Sequence, residues 1–157
     1  MINPIELALS SNLYKANIKS TDWKEALRET ASILEKNNCI DNNYVEKIIE
    51  DSVKLNFYYC LGENIAMPHT SPEFGAIKTS IAIVTSKDGI YFGNHEFNPI
   101  KVIFMISVIK DDDHIDFIMK IAEILQDREF IDNISNCEND DELKNILLNK
   151  IKNQSNM

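Results

Sequence analysis

Cysteine is scarce. Cys39, Cys60 and Cys137 are widely spaced in a chain of 157 residues, with no Cys-x-x-Cys pair. An odd, scattered set argues against a disulfide framework or a zinc ribbon, and reduced thiols of an intracellular compartment are the expectation. Glycine and proline number four each, so no collagen-like repeat and no Pro/Gly-rich linker divides the chain. Arginine is rarer still, at Arg28 and Arg128 only. Lys plus Arg is 16 against 25 for Asp plus Glu, a formal net charge of −9. That balance weighs against nucleic acid as a partner and against an anionic membrane surface. A basic protein partner would be steered in favourably. Long apolar runs are missing too. The richest, residues 100–109, contains Lys101 and Ser107 and is far too short to cross a bilayer. Residues 1–10 lack the cationic start and apolar core of a signal peptide. The expectation is a cytoplasmic protein with no direct membrane insertion.

What is present is ordinary globular material, 44% hydrophobic and 26% charged. The length suits one domain, expected over residues 1–152, with residues 153–157 as a frayed tail. Asp22 followed by Glu25 has capping-box spacing. Trp23, Ala26, Leu27, Ala31 and Leu34 then recur at helical period, which predicts a helix over 22–36. A second helix is expected over 42–54, with Val45, Ile48, Ile49 and Val53 on one face. Residues 14–18 read as a short strand, and aromatics predict another over 57–60. Residues 80–85 and 90–92 flank the turn signal Lys87-Asp88-Gly89, which predicts a hairpin. Residues 101–108 form a continuous apolar, β-branched run, the mark of a strand buried on both faces. Helices are expected over 114–126, 127–134 and 140–151. Helices bracketing central strands predict an α/β fold, a three-layer sandwich with a mixed central β-sheet flanked by helices on both faces.

Three histidines carry what acid–base or nucleophilic chemistry near neutral pH there is to find: His69, His95 and His114. His69 directly follows Pro68, which ends the apolar run 65–67. Proline cannot donate to a sheet ladder, so it ends a strand or sits on an edge. His69 is then either a reactive group on a rigid mount or a plain surface histidine. His114 follows Asp111-Asp112-Asp113 where the buried strand gives way to a helix. Such a strand end is where open α/β sheets place ligands, and first-turn N–H groups suit an anion. The acidic run equally serves to cap and solubilise the helix. His95 lies in the polar loop 93–96 and reads as solvated. Cys60, near the His69 segment, is a packing residue or half of a Cys–His pair. No metal-ligand spacing and no Gly-rich nucleotide loop is present, and no GxSxG elbow either. No cofactor and no metal are expected.

The run Asn64-Ile65-Ala66-Met67-Pro68-His69 resembles the active-site signature of type-2 enzyme IIA domains of the sugar phosphotransferase system, the mannitol/fructose class. Asp22-Trp23-Lys24-Glu25-Ala26 looks like the start of that family's first long helix, and Tyr44-Val45-Glu46 like the start of its second. Phe92-Gly93 and Asn98-Pro99-Ile100 resemble its FG and DPV segments. The stretch 112–129, with His114 and Leu125-Gln126-Asp127, resembles its H…LL.D helix. Met67-Pro68-His69 followed by Ser71-Pro72-Glu73-Phe74-Gly75 is most similar to the ascorbate-type branch. Thr70-Ser71 departs from the small residue and Arg often found there, and Asn98 stands where Asp is common. An Arg that the mannitol-like branch carries after its second helix is replaced by Asp51-Ser52-Val53-Lys54. Its absence favours the ascorbate-type reading and leaves open which group neutralises a phosphoryl charge.

The resemblance implies a phosphotransferase with a phosphohistidine intermediate. By resemblance, His69 accepts the phosphoryl from phospho-HPr and passes it to a cysteine of the cognate enzyme IIB, for sugar uptake through the membrane IIC component. His114 matches the second histidine, expected to hydrogen-bond a phosphoryl oxygen or orient His69. Two other readings stand beside it. One is a regulatory, nitrogen-type IIA that signals by its phosphorylation state. The other is a non-catalytic binding domain with structural histidines.

Overall fold

The computed structural model describes the backbone of residues 3–109 and 111–155; the side chains at 111–114, 154 and 155 fall outside that description. The chain opens with α1 (Pro4–Ser10), an element too short for periodicity to announce. Its signals are local: Asn3 caps it, accepting from the N–H groups of Ile5 and Glu6, and Pro4 suits the first turn. Then follow β1 (Tyr14–Lys15), α2 (Trp23–Lys36), α3 (Asn42–Lys54), β2 (Cys60–Gly62) and β3 (Ile65–Ala66). A 3₁₀ turn (Pro72–Phe74) leads to β4 (Ser80–Ile90), β5 (Ile100–Ser107), α4 (Asp111–Leu125), α5 (Arg128–Ser135) and α6 (Asp140–Ser155).

The described strands form one mixed sheet in the order β1-β4-β5-β3-β2. β1 runs parallel to β4 and β3 parallel to β5, while β4 with β5 and β2 with β3 are antiparallel. β4 is buried continuously from Ser80 to Ser86, and β5 from Val102 to Ser107. Side chains alternate faces along a strand, so unbroken burial means that both faces are covered. This is the expected three-layer α/β sandwich, with α1, α2 and α5 packed against β4. No helix among the described residues is long and apolar enough to cross a membrane.

The helices start where their caps put them. Asp22 accepts from the N–H of Glu25, Asp41 from that of Asn43, and Asp127 from that of Phe130. α4 starts earlier than expected, at Asp111, and α6 carries on through residues 153–155, where a frayed end was expected.

Three local expectations need correction. The buried face of α3 is Tyr44, Val45, Ile48 and Ser52, whereas Val53 is 68% exposed. Two polar residues win the inner face because both hydroxyls find partners there. Tyr44 donates to the Ile106 carbonyl at 2.6 Å, and Ser52 lies 2.7 Å from the Tyr59 hydroxyl. Residues 57–59 are a turn, not strand, with left-handed backbone at Asn56 and Phe57 (φ 51° and 52°). Their aromatics build a cluster instead: Phe57 packs edge-on against Trp23, Tyr59 and Phe92 at 5.0–6.3 Å. Finally, Lys87-Asp88-Gly89 does not reverse the chain. It is a bulge within β4, where the register against β5 shifts between Thr85 and Ile90. Gly89 has φ +85°, and a Cβ there would lie 2.7 Å from that of Pro99. The reversal comes later, over 91–99, where the Asn98 side chain accepts from the N–H of Phe92 and donates to its carbonyl.

Candidate functional site around His69

β3 and β5 are parallel, so both deliver their carboxyl ends to the same edge of the sheet. Pairing continues past β3: the N–H of Met67 donates to Tyr59, and the Pro68 carbonyl accepts from Ile106 at 3.1 Å. Pro68 has no N–H to extend the ladder, and the chain leaves the sheet at His69. His69 therefore sits on a rigid mount at a strand end, as the preceding Pro68 predicts.

The imidazole is oriented from its own strand. Its Nδ1 lies 2.8 Å from the Met67 carbonyl oxygen. A carbonyl only accepts, so Nδ1 of the neutral ring carries the proton and Nε2 carries the lone pair. Tyr58 donates its hydroxyl to the His69 carbonyl and stands edge-on to the imidazole at 5.9 Å. Tyr44 accepts from the N–H of Thr70 at 3.2 Å while donating to Ile106. One buried phenol thus ties α3, the end of β5 and the residue after His69 together. Burial pushes the Tyr44 phenol up to about 12, and it raises those of Tyr58 and Tyr59 as well. All three are neutral hydrogen-bonding groups near pH 7.

His69 opens into a groove of about 690 Å³ shared with Lys47, Asp51, Tyr58, Thr70 and Ile115. Ile115 follows His114 directly. The backbone of His114 lies in the first turn of α4, reached from the end of β5; its side chain lies outside the described residues. His95 belongs elsewhere, in the 91–99 loop, where its ring packs on Phe97 at 5.1 Å. Cys60 is buried in β2, and burial pushes its thiol up to about 12. A thiol so far from ionising is a packing group, not a nucleophile. Cys137 is likewise buried, with its thiol pushed up to about 11.

Sequence reasoning passed over Tyr44, Tyr58 and Lys47 as members of the site. Tyr44 and Tyr58 read there as a helix start and as a strand. The available signal was the four-residue spacing of Lys47 and Asp51, which puts both on one face of a helix.

The fold thus presents a histidine held by its own backbone at the end of a buried strand, lining an open groove. Residues 8–150 match the family model for enzyme IIA type 2 of the phosphoenolpyruvate-dependent sugar phosphotransferase system. The chain belongs to that family. It is 34% identical over 128 residues to the mannitol-specific cryptic phosphotransferase enzyme IIA component of Escherichia coli K12, covering 80% of this chain and 85% of that one. The solution structure of the E. coli mannitol-specific cryptic enzyme IIA matches at TM-score 0.82 and 27% identity, over 93% of this chain and 98% of that one. The ascorbate-specific EIIA component of E. coli K12 is 24% identical over 126 residues, 80% of this chain and 82% of that one. The E. coli mannitol enzyme IIA, solved in complex with phosphorylated enzyme IIB, matches at TM-score 0.71 and 25% identity, over 87% of this chain and 94% of that one.

Proposed function

We propose that the chain is a cytoplasmic phosphocarrier of a sugar phosphotransferase system. His69 accepts a phosphoryl group from phospho-HPr and hands it to a cysteine of the cognate enzyme IIB, ahead of uptake through the membrane IIC component. The observation that carries this reading is the bond between His69 Nδ1 and the Met67 carbonyl, at the mouth of a groove. Nε2 uses its lone pair to form the new N–P bond. The donor's N–P bond breaks, and the donor nitrogen keeps that electron pair. Nδ1 keeps its proton, donated in a hydrogen bond to the Met67 carbonyl, which stabilises the imidazolium so formed. Onward transfer to a thiolate forms an S–P bond, breaks the Nε2–P bond and returns neutral His69. His114, in the first turn of α4 on the same sheet edge, is assigned to a phosphoryl oxygen or to orienting His69.

The sugar is not encoded in this groove, because the group passed on is the phosphoryl alone. Sequence features lean to the ascorbate-type branch, and identity is higher to the mannitol-type cryptic relative. Purified chain incubated with enzyme I, HPr and phosphoenolpyruvate should gain the mass of one acid-labile phosphoryl. The gain should vanish in His69→Ala. A wild-type chain that gains no mass refutes the proposal.

A further inference from the structure

A phosphoryl group on His69 brings about two negative charges into a groove partly walled by aliphatic and aromatic side chains. Charge of that size in such surroundings needs a cation within reach. Among the described residues lining the groove, Lys47 is the one Lys or Arg. Its placement is specific. The ammonium lies 3.4 Å from Asp51 Oδ1, one turn further along α3. It also sits 4.8 Å from the ring centroid of Phe74, in the 3₁₀ turn that closely follows His69. Both partners of the ion pair are mostly covered, at 27% and 18% side-chain exposure. The stem of Lys47 is therefore packed between α3 and the His69 segment, with its charged end in the groove.

Asp51 makes this arrangement more than a lysine near a histidine. A bare carboxylate in the groove would repel an incoming phosphoryl group. Paired with Lys47 it does not, and the resting groove carries no net charge from the two. From this geometry we infer that Lys47 is the cation that neutralises the phosphoryl group on His69, and that Asp51 is a positioning residue that parks the ammonium until the group arrives. The inference rests on the proposed phosphocarrier role. The transfer itself is unchanged: the N–P bond passes from donor to Nε2, while the lysine forms charge-assisted hydrogen bonds to the phosphoryl oxygens and loses no proton. A plain helical ion pair with these residues would add little to stability and nothing to transfer.

The test compares rates of phosphoryl transfer from phospho-HPr, by rapid quench, in Lys47→Gln, Lys47→Met, Lys47→Arg, Asp51→Asn and the double variant Lys47→Gln/Asp51→Asn. Melting curves accompany each. Loss of the cation should slow transfer by about 10- to 100-fold, with melting close to wild type. Lys47→Met keeps the apolar stem against Phe74 and should slow it equally. Lys47→Arg should recover most of the rate. The double variant separates the two roles. If the lysine only masks Asp51, removing both restores wild-type transfer and the inference fails. If it holds the phosphoryl, the double variant stays as slow as the single one. Lys47→Gln and Lys47→Met at wild-type rates would also overturn it. A wild-type chain that takes up no phosphoryl would overturn the phosphocarrier reading and this one together.

Discussion

Helix α3 carries polar residues on two faces, Tyr44 and Ser52 eight positions apart and Lys47 and Asp51 four apart, and the two sets have opposite fates. On the inner face, Tyr44 and Ser52 are fully buried, and each hydroxyl is bonded to protein: Tyr44 to Ile106 and Thr70, Ser52 to Tyr59 and Ile48. On the groove face, Lys47 and Asp51 answer each other, mostly covered but at the wall of the groove. A buried polar group must be satisfied by the fold, so its partners are set once the chain has folded. A charged pair in a groove is satisfied provisionally and can exchange one partner for a ligand. The inner face therefore holds the His69 segment in place, and the groove face is left able to exchange partners.

The comparison makes the two faces separable by experiment. His69→Ala should give the largest effect, complete loss of phosphoryl uptake, while urea unfolding shifts by less than about 1 kcal/mol. Lys47→Gln should follow, with its roughly 10- to 100-fold loss in transfer rate and little change in stability. Tyr44→Phe should show the inverse pattern. It strands the Ile106 carbonyl and the Thr70 N–H, and should cost about 1–3 kcal/mol of stability by denaturant titration. It should also flatten the alkaline limb of the stability profile. The Tyr44 phenol is pushed by burial from its ordinary 10.0 up to about 12. The folded chain thus keeps a proton that the unfolded chain loses first. Its contribution is intact below about pH 10 and is lost as pH rises from 10 towards 12. Equal alkaline slopes for wild type and Tyr44→Phe would remove Tyr44 from that transition. Ser52→Ala should cost about 1 kcal/mol, because Tyr59 loses a buried partner. At the small end, Lys54→Ala breaks an exposed pair with Glu50 on α3. It should leave both transfer and unfolding at wild-type values. An effect of Lys54→Ala as large as that of Lys47→Gln would mean that general charge, not groove placement, controls transfer.

Much of this was legible before folding was considered. Pro68 before His69 marked a strand end, and the fold puts one there. Asp22 marked the start of α2, and the apolar run 101–108 marked a strand covered on both faces. These signals are local: a missing N–H, a cap, a period. The failures were local readings overruled by distant contacts. Phe57, Tyr58 and Tyr59 have strand-forming side chains, but Phe57 and Tyr59 pack into a cluster with Trp23 and Phe92 that bends the backbone into a turn. Lys87-Asp88-Gly89 is turn-like in composition, yet pairing on both sides with β5 keeps the chain going forward as a bulge. Val53 fits the apolar period of α3, but satisfied hydroxyls on Tyr44 and Ser52 rotate that face away from it.

The amino-acid order was enough to place His69 at a strand end, behind Pro68, and to read Cys60 as a packing residue, because residue type and immediate neighbours decide those matters. It was not enough to say what surrounds the imidazole. Lys47, Tyr44 and the first turn of α4 come to His69 only because β3 and β5 run parallel and α3 is fastened across their ends. Those pairings are set by hydrogen-bond ladders and buried hydroxyls between segments far apart in the chain, and no local pattern carries that information.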